Sequence, residues 1–281
     1  MKNKGIIPIN KPQNWTSFDV VNKLKYKVKP LKVGHLGTLD PMATGVLLVT
    51  IGKATKLFDL MQEKTKTYVA EFEFGYETDT LDKTGVVLNK CDYIPTKQEI
   101  LNVLPNFVGK ISQIPPKYSA KSIDGKRAYE MARQNIDFEL KPKVVNVNRI
   151  DFISFENNIL KLEIECGSGT YIRSIGRDIA TELNSLATMT SLVRTKIDKF
   201  EINQCYDIEN IDDVNDKIIP IREILSYPIL TLKEENINKI LNGQTLVLEE
   251  KDGIYLLQDE FDVVALIKIS ENKAKMSLFL G

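Results

Sequence analysis

The apolar positions along the chain change period several times, and each change marks an element. Val46-Leu47-Leu48-Val49-Thr50-Ile51 is a continuous apolar run closed by Gly52, the pattern of a central strand covered on both faces. From Lys66 to Tyr76 the period is two. Tyr68, Ala70, Phe72, Phe74 and Tyr76 share one face, and Glu71 and Glu73 lie on the other, which predicts a strand with one wet side. Residues 5–9 and 86–88 read as short strands. Residues 144–155 and 159–168 read as a hairpin turning at Asn157-Asn158, with Leu160, Leu162, Ile164 and Cys166 alternating. Two helices announce their starts with capping boxes. Thr16 and Asp19 open one whose buried stripe is expected at Phe18, Val21, Leu24 and Val28. Thr96 and Glu99 open another carrying Ile100, Val103, Leu104 and Phe107. A third helix is expected from Tyr171 past Leu183, after the break Gly167-Ser168-Gly169-Thr170.

Between these elements lie two departures from the pattern. Residues 115–144 are thin in apolar positions and mix Lys117, Tyr118, Lys121, Lys126, Arg127, Tyr129 and Arg133, the composition of an excursion off the sheet. Basic residues interleaved with tyrosines suit phosphates and bases, and equally describe a solvated helical hairpin. Residues 210–216 are polar and acidic and mark a boundary. We therefore expect an α+β fold with a mixed, largely antiparallel sheet over residues 1–222 and a small β-rich unit over 223–281.

Composition narrows the class. The 281 residues are 43% hydrophobic, enough for a real core. No apolar block follows a basic start, and no run approaches the ~18 residues of a membrane span, so a cytoplasmic protein without membrane attachment is expected. Cys91, Cys166 and Cys205 are odd in number and far apart, which predicts reduced thiols. One histidine and no paired cysteines argue against zinc, and no carboxylate cluster suggests another metal. Lysine plus arginine and aspartate plus glutamate both count 38, but unevenly along the chain. Residues 1–60 hold ten lysines against Asp19, Asp40 and Asp59, whereas Glu249, Glu250, Asp252, Asp259, Glu260 and Asp262 crowd the end. Lys23, Lys25, Lys27, Lys29 and Lys32 surround the wet side of the first helix. A polyanion would prefer this N-terminal part, against the ordinary reading of a solvated face.

The candidate chemistry sits in Gly34-His35-Leu36-Gly37-Thr38-Leu39-Asp40-Pro41. Two glycines permit unusual backbone shapes, and Pro41 fixes its own φ while restricting Asp40. The loop is either an Asp-Pro turn or a rigid mount for a reacting carboxylate. Gly52-Lys53-Ala54-Thr55-Lys56 is not a phosphate loop, because Leu47 and Ala54 stand where glycine and a hydroxyl residue are required.

The stretch GHLGTLDPMATGVLLVTIGKATK resembles the catalytic motif of the bacterial tRNA pseudouridine-55 synthases, the TruB family. Gly5-Ile6-Ile7-Pro8-Ile9-Asn10-Lys11-Pro12, Lys66-Thr67-Tyr68-Val69-Ala70 and Gly169-Thr170-Tyr171-Ile172-Arg173-Ser174 resemble it in the same order, over about the first 200 residues. The resemblance implies the pseudouridine synthase fold, a thumb-like insertion at about 115–144 that grips tRNA, and a PUA-like C-terminal domain. It implies isomerisation of uridine in the T stem-loop by a monomer without cofactor. Asp40 takes the place of the obligatory aspartate, Tyr68 would stack on uracil and assist at C5, and Arg173 would keep Asp40 ionised. His35 corresponds to the histidine that helps displace the base, or merely caps the glycine turn. Lys11 and Tyr171, within matched motifs, and Lys121, Lys126 and Arg127 of the insertion are expected RNA contacts, with Lys11 also readable as structural. Asn10 departs from the Asp-Lys-Pro of many relatives. Asp40 would either attack C1′ or remove a 2′ proton. A non-catalytic RNA-binding module and a nucleoside hydrolase are the alternatives.

Overall fold

In the computed structural model the apolar run at residues 46–51 lies mid-sheet, fully buried. The structure describes every residue except Met1, Lys2, Ala120, Lys121, Asp124, Gly125, Asn135, Asp137 and Asp212. Strand β1 (Gly5–Lys11) leads into helix α1 (Ser17–Lys27), β2 (Val33–Leu36) and β3 (Thr44–Ile51). Then come β4 (Lys66–Phe74), the small hairpin of β5 (Tyr76–Thr78) and β6 (Val87–Lys90), helix α2 (Lys97–Val103) and β7 (Gly109–Gln113). The long hairpin of β8 (Lys143–Glu156) and β9 (Ile159–Cys166) precedes helix α3 (Ile172–Glu182), β10 (Ala187–Ile197) and β11 (Tyr206–Asp207).

The sheet runs β11-β1-β3-β10-β4-β9-β8-β7, with β2 also on β3. Within that order only β1–β11 and β3–β10 are parallel, so the largely antiparallel expectation holds. Tyr68, Ala70, Phe72 and Phe74 all point into the core, as period two requires. Helix α3 lies on that face so closely that a Cβ on Gly176 would sit 2.1 Å from Phe72 Cδ1. That contact fixes how near α3 brings its first turn to β4.

Helix α1 departs from expectation in phase. Its inward stripe is Ser17, Val20, Val21 and Leu24, while Phe18 is 63% exposed. The cause is Ser17, whose hydroxyl bonds Leu39 and so takes the inward position one residue before Phe18. The strand expected at 86–88 lies at Val87–Lys90 and is exposed throughout. Between β7 and β8 the chain leaves the sheet, and its described part holds a short hairpin, Ser122–Ile123 against Lys126–Arg127, and a helix, Ala128–Arg133.

The C-terminal unit is a five-stranded sheet formed by β12 (Ile229–Thr231), helix α4 (Glu234–Leu241) laid beside it, β13 (Leu246–Val247), β14 (Gly253–Gln258), β15 (Val263–Ser270) and β16 (Lys273–Phe279). The strand and helix order is that of the PUA-like reading. Residue 222 falls inside the helical turn Ile221–Ile224, and the two units share an apolar cluster across it. Leu256, Val263, Leu266 and Leu280 join Ile6, Val46, Leu48, Leu57 and Phe200 there. Lys4, 8% exposed, donates to Val263 O at 2.6 Å and Leu280 O at 3.0 Å.

A chain ending at Tyr227 should therefore fold poorly. Uncovering several of these side chains at ~1 kcal/mol each costs ~5 kcal/mol, which corresponds to a fall of ~10–20 °C in melting temperature. A truncated chain melting within a few degrees of the full one would show that the shared cluster contributes little.

Candidate active site

The segment from Gly37 to Ala43 has no regular secondary structure, yet each carbonyl from Gly37 to Met42 accepts a hydrogen bond. Gly37 adopts φ of +81°, the left-handed turn that glycine permits. Its carbonyl accepts from Arg194 Nη2 at 3.1 Å. Ser17 Oγ accepts from Leu39 N at 3.0 Å, Pro41 O accepts from Asn14 N at 2.8 Å and Lys11 Nζ at 3.2 Å, and Ala43 N donates to Asp40 O at 3.0 Å. Lys11 is fully buried and also donates to Pro12 O and Trp15 O, at 2.8 and 2.6 Å. Gly45 follows at φ of +103°, where a Cβ would meet Arg194 O at 2.2 Å. Asp40 thus rides on a fixed backbone with its side chain 32% exposed.

Arg173 meets Asp40 from the first turn of α3. Its Nε lies 3.0 Å from Asp40 Oδ2 and its Nη2 3.2 Å from Oδ1, a two-point contact of guanidinium on carboxylate. Nη1 lies 3.6 Å from Asp82 Oδ2 and donates to Thr80 O at 2.9 Å, and Nη2 also donates to Tyr118 O at 3.1 Å. Asp82, 5% exposed, is itself occupied, since Oδ1 accepts from Thr84 N, Thr84 Oγ1 and Thr80 Oγ1 at 2.9, 2.5 and 3.0 Å. The start of α3 is clamped by Gln113, 1% exposed, whose amide accepts from Tyr171 N at 2.8 Å and donates to Tyr171 O at 3.2 Å.

Beneath the loop lies a bed of buried cations. Arg194, 1% exposed, sits opposite Tyr68 across β10 and β4 and donates to Val46 O at 2.7 Å. Lys66 Nζ donates to Gln62 O and Lys64 O. Burial pulls the pKa of Lys11 and of Lys66 down to about 8, with Arg194 acting in the same direction on both. Burial also raises the Tyr68 phenol, an effect the facing guanidinium of Arg194 partly offsets. It lowers His35 too, with Arg194 second, so the imidazole is neutral at pH 7, and its buried Nδ1 has no hydrogen-bond partner among the described residues. Among those residues no group of three or more His, Cys, Asp or Glu is placed to hold a metal ion. Two surface clefts lie away from this site. One is lined by Arg149, Glu163, Glu165 and Lys196, the other by Tyr93, Glu99 and Glu182, and neither holds any of these groups.

The family model of the TruB family pseudouridylate synthases, N-terminal domain, matches residues 23–172. The chain belongs to the TruB family. It is similar to the tRNA pseudouridine synthase B of Clostridium kluyveri, 40% identical over 272 residues that cover 96% of this chain and 93% of that protein. The Mycoplasma mobile protein of the same name is 38% identical over 281 residues, covering 99% and 95%. The Borreliella afzelii one is 40% identical over 276 residues, covering 96% and 97%. The fold is also that of the crystal structure of a Cbf5-Nop10-Gar1 complex, with a TM-score of 0.72 at 22% identity over 99% of this chain and 84% of that one.

Within this TruB-family chain the structure brings Asp40 and Arg173 together and sets Tyr68 and His35 around Arg194. Tyr171 stands at the N-terminus of α3, half-buried. Lys11 needs correction as an RNA contact. Enclosed in protein with three carbonyl acceptors, its ammonium has no surface to offer and instead holds the Asp40 loop. Lys121 lies outside the described residues, and Lys126 and Arg127 are described only as strand backbone. Sequence reasoning missed Asp82, Gln113 and Arg194. Arg194 carried a signal, because it follows Leu192 at period two on the inward face of a strand, where a charge must be doing a specific job.

Two outcomes follow from these contacts. Arg173→Met removes the two-point hold on the Asp40 carboxylate, so the single-turnover rate should fall about a hundredfold or more while tRNA binding changes little. A rate within about threefold of wild type would remove Arg173 from any role in orienting Asp40. Lys11 titrates at about 8 in the folded chain against 10.5 when free, so between these values the unfolded chain holds a proton that the folded one lacks. Stability therefore rises with pH across that window. Lys11→Met should lower the melting temperature at pH 7, because buried carbonyls lose their donor at ~1–3 kcal/mol. It should also flatten the rise between pH 8 and 10, and an unaltered rise would refute the assignment.

Proposed function

We propose that the protein isomerises uridine to pseudouridine in tRNA, at position 55 of the T-loop, with Asp40 as the reacting group. The observation that carries this reading is the rigidly mounted Asp40 carboxylate, paired at two points with a buried arginine and still partly open to solvent. In the reaction the C1′–N1 bond of the nucleoside breaks, uracil turns, and a C1′–C5 bond forms. The proton lost from C5 is balanced by one gained at N1, so neither oxidant nor cofactor is required. Asp40 serves either by attack on C1′ or by taking the 2′ proton, and both need an ionised carboxylate in a site that excludes water. Arg173 supplies the compensating charge. Tyr68 offers a buried phenol beside the loop for the uracil face and for C5. His35, held neutral, presents an imidazole rather than a cation to a base displaced from its stack. The relatives named tRNA pseudouridine synthase B support tRNA as substrate, and the T-loop position and the monomeric, cytoplasmic state remain parts of this proposal. We place the catalytic domain at residues 1–222, the thumb-like insertion at about 115–144 and the PUA-like domain at 223–281.

Asp40→Asn should abolish conversion of uridine in a tRNA transcript while leaving tRNA affinity within about tenfold, since it removes a reacting charge and few contacts. Conversion of even a few per cent in a clean preparation would sink the assignment. Release of free uracil by the wild type would point to hydrolysis instead.

A further inference from the structure

Helix α1 carries a pattern the catalytic reading leaves unused. Its inner stripe is buried, and its outer face presents Phe18, 63% exposed, and Tyr26, 74% exposed, among exposed Lys23 and Lys25, with exposed Lys29 in the turn that follows. Both rings stand in water on an eleven-residue helix. They are interleaved with ammonium groups. Lys23 Nζ lies 5.6 Å from the Trp15 ring centroid and Lys29 Nζ 4.7 Å from that of Tyr26. Asp19, the one carboxylate on the helix itself, is committed to the capping box, accepting from Thr16 N at 2.8 Å and Thr16 Oγ1 at 2.6 Å. Among the described residues none of Lys23, Lys25, Lys29 and Lys32 enters an ion pair. Lys27 alone turns inward, to Ile211 O at 2.7 Å.

The face is continuous with the site. Ser17, at the first turn, is bonded to both backbone groups of Leu39, next to Asp40, and the helix then packs along β2, which carries His35. Uncompensated ammonium groups with exposed rings beside a nucleic-acid site match the chemistry of a nucleic-acid strand, phosphates on one part and sugar or base edges on the other. We propose that the outer face of α1 and the turn after it form a second contact surface for the tRNA substrate, with Lys23, Lys25 and Lys29 on backbone phosphates and Phe18 and Tyr26 against ribose and base edges. This rests on the reading of tRNA as substrate.

The test compares the full chain with three variants in tRNA binding, as Kd between about 50 and 250 mM salt. The variants are Lys23→Gln/Lys25→Gln/Lys29→Gln, Phe18→Ala/Tyr26→Ala, and a control, Lys268→Gln/Lys273→Gln/Lys275→Gln, which removes the same charge from exposed positions of the C-terminal sheet. The α1 triple should lower the log–log salt slope by about 2, since each phosphate contact contributes roughly 0.7–0.9, and raise Kd at least tenfold at low salt. The aromatic pair should raise Kd about tenfold with little change of slope. An α1 triple with the wild-type slope, or one matched by the control triple, overturns the proposal and returns the face to solvated surface or to a protein partner. Wild-type conversion of uridine in the same tRNA is scored separately. Its absence would defeat the functional reading and leave the binding result to stand alone.

Discussion

The site depends on one side chain that meets five partner atoms. Arg173 contacts Asp40 at two points, faces Asp82 at 3.6 Å and donates to Thr80 O and Tyr118 O, so a single guanidinium ties the catalytic loop, the 78–85 loop and the root of the insertion to the first turn of α3. A buried cation is costly unless each donor is satisfied, and a buried ion pair by itself is weak evidence of stability. The gain here is geometric. The planar fork fixes the Asp40 carboxylate in orientation as well as in charge, which a lysine at the same place would not do.

The same device recurs around it. Lys11, Lys66 and Arg194 are all buried, and each collects several carbonyls, most of them from chain outside the sheet. A loop folded against a sheet must account for every peptide group, and long basic side chains reach several acceptors at once. The cost is visible in the two lysines, drawn down to about 8 by burial. That concentration of positive charge also biases the neighbourhood toward a polyanion, although formal net charge over the chain is zero.

What the sequence disclosed followed from periodicity and punctuation. The β3 run, the alternation of β4, both capping boxes and the Asn157-Asn158 turn were legible because each is decided by neighbours in the chain. The pairing of Asp40 with Arg173, 133 positions apart, was expected from the resemblance of both motifs to the family, and Arg173 in the first turn is also a cation misplaced for its own helix dipole. Asp82 and Gln113 were not legible. Their roles exist only once the 78–85 loop docks on β10 and β7 meets α3, contacts that no local pattern encodes. Phe18 misled for a related reason, since the phase of α1 is set by the Ser17–Leu39 contact and Ser17 does not look like a core residue.

The fate of the second carboxylate bears on the kind of chemistry. Hydrolysis of a glycosidic bond ordinarily uses two carboxyl groups, one as acid and the other as base or nucleophile. Asp82 is near enough to touch Arg173, but its Oδ1 accepts three hydrogen bonds from Thr80 and Thr84, and its Oδ2 faces the guanidinium. Nothing about it is free to carry a proton to a leaving group or to activate water. Only Asp40 keeps an exposed portion. One available carboxylate, held by an arginine and mounted on a rigid loop, suits a reaction in which the base departs and returns within the site, because that chemistry needs retention of the fragment more than it needs a second acid.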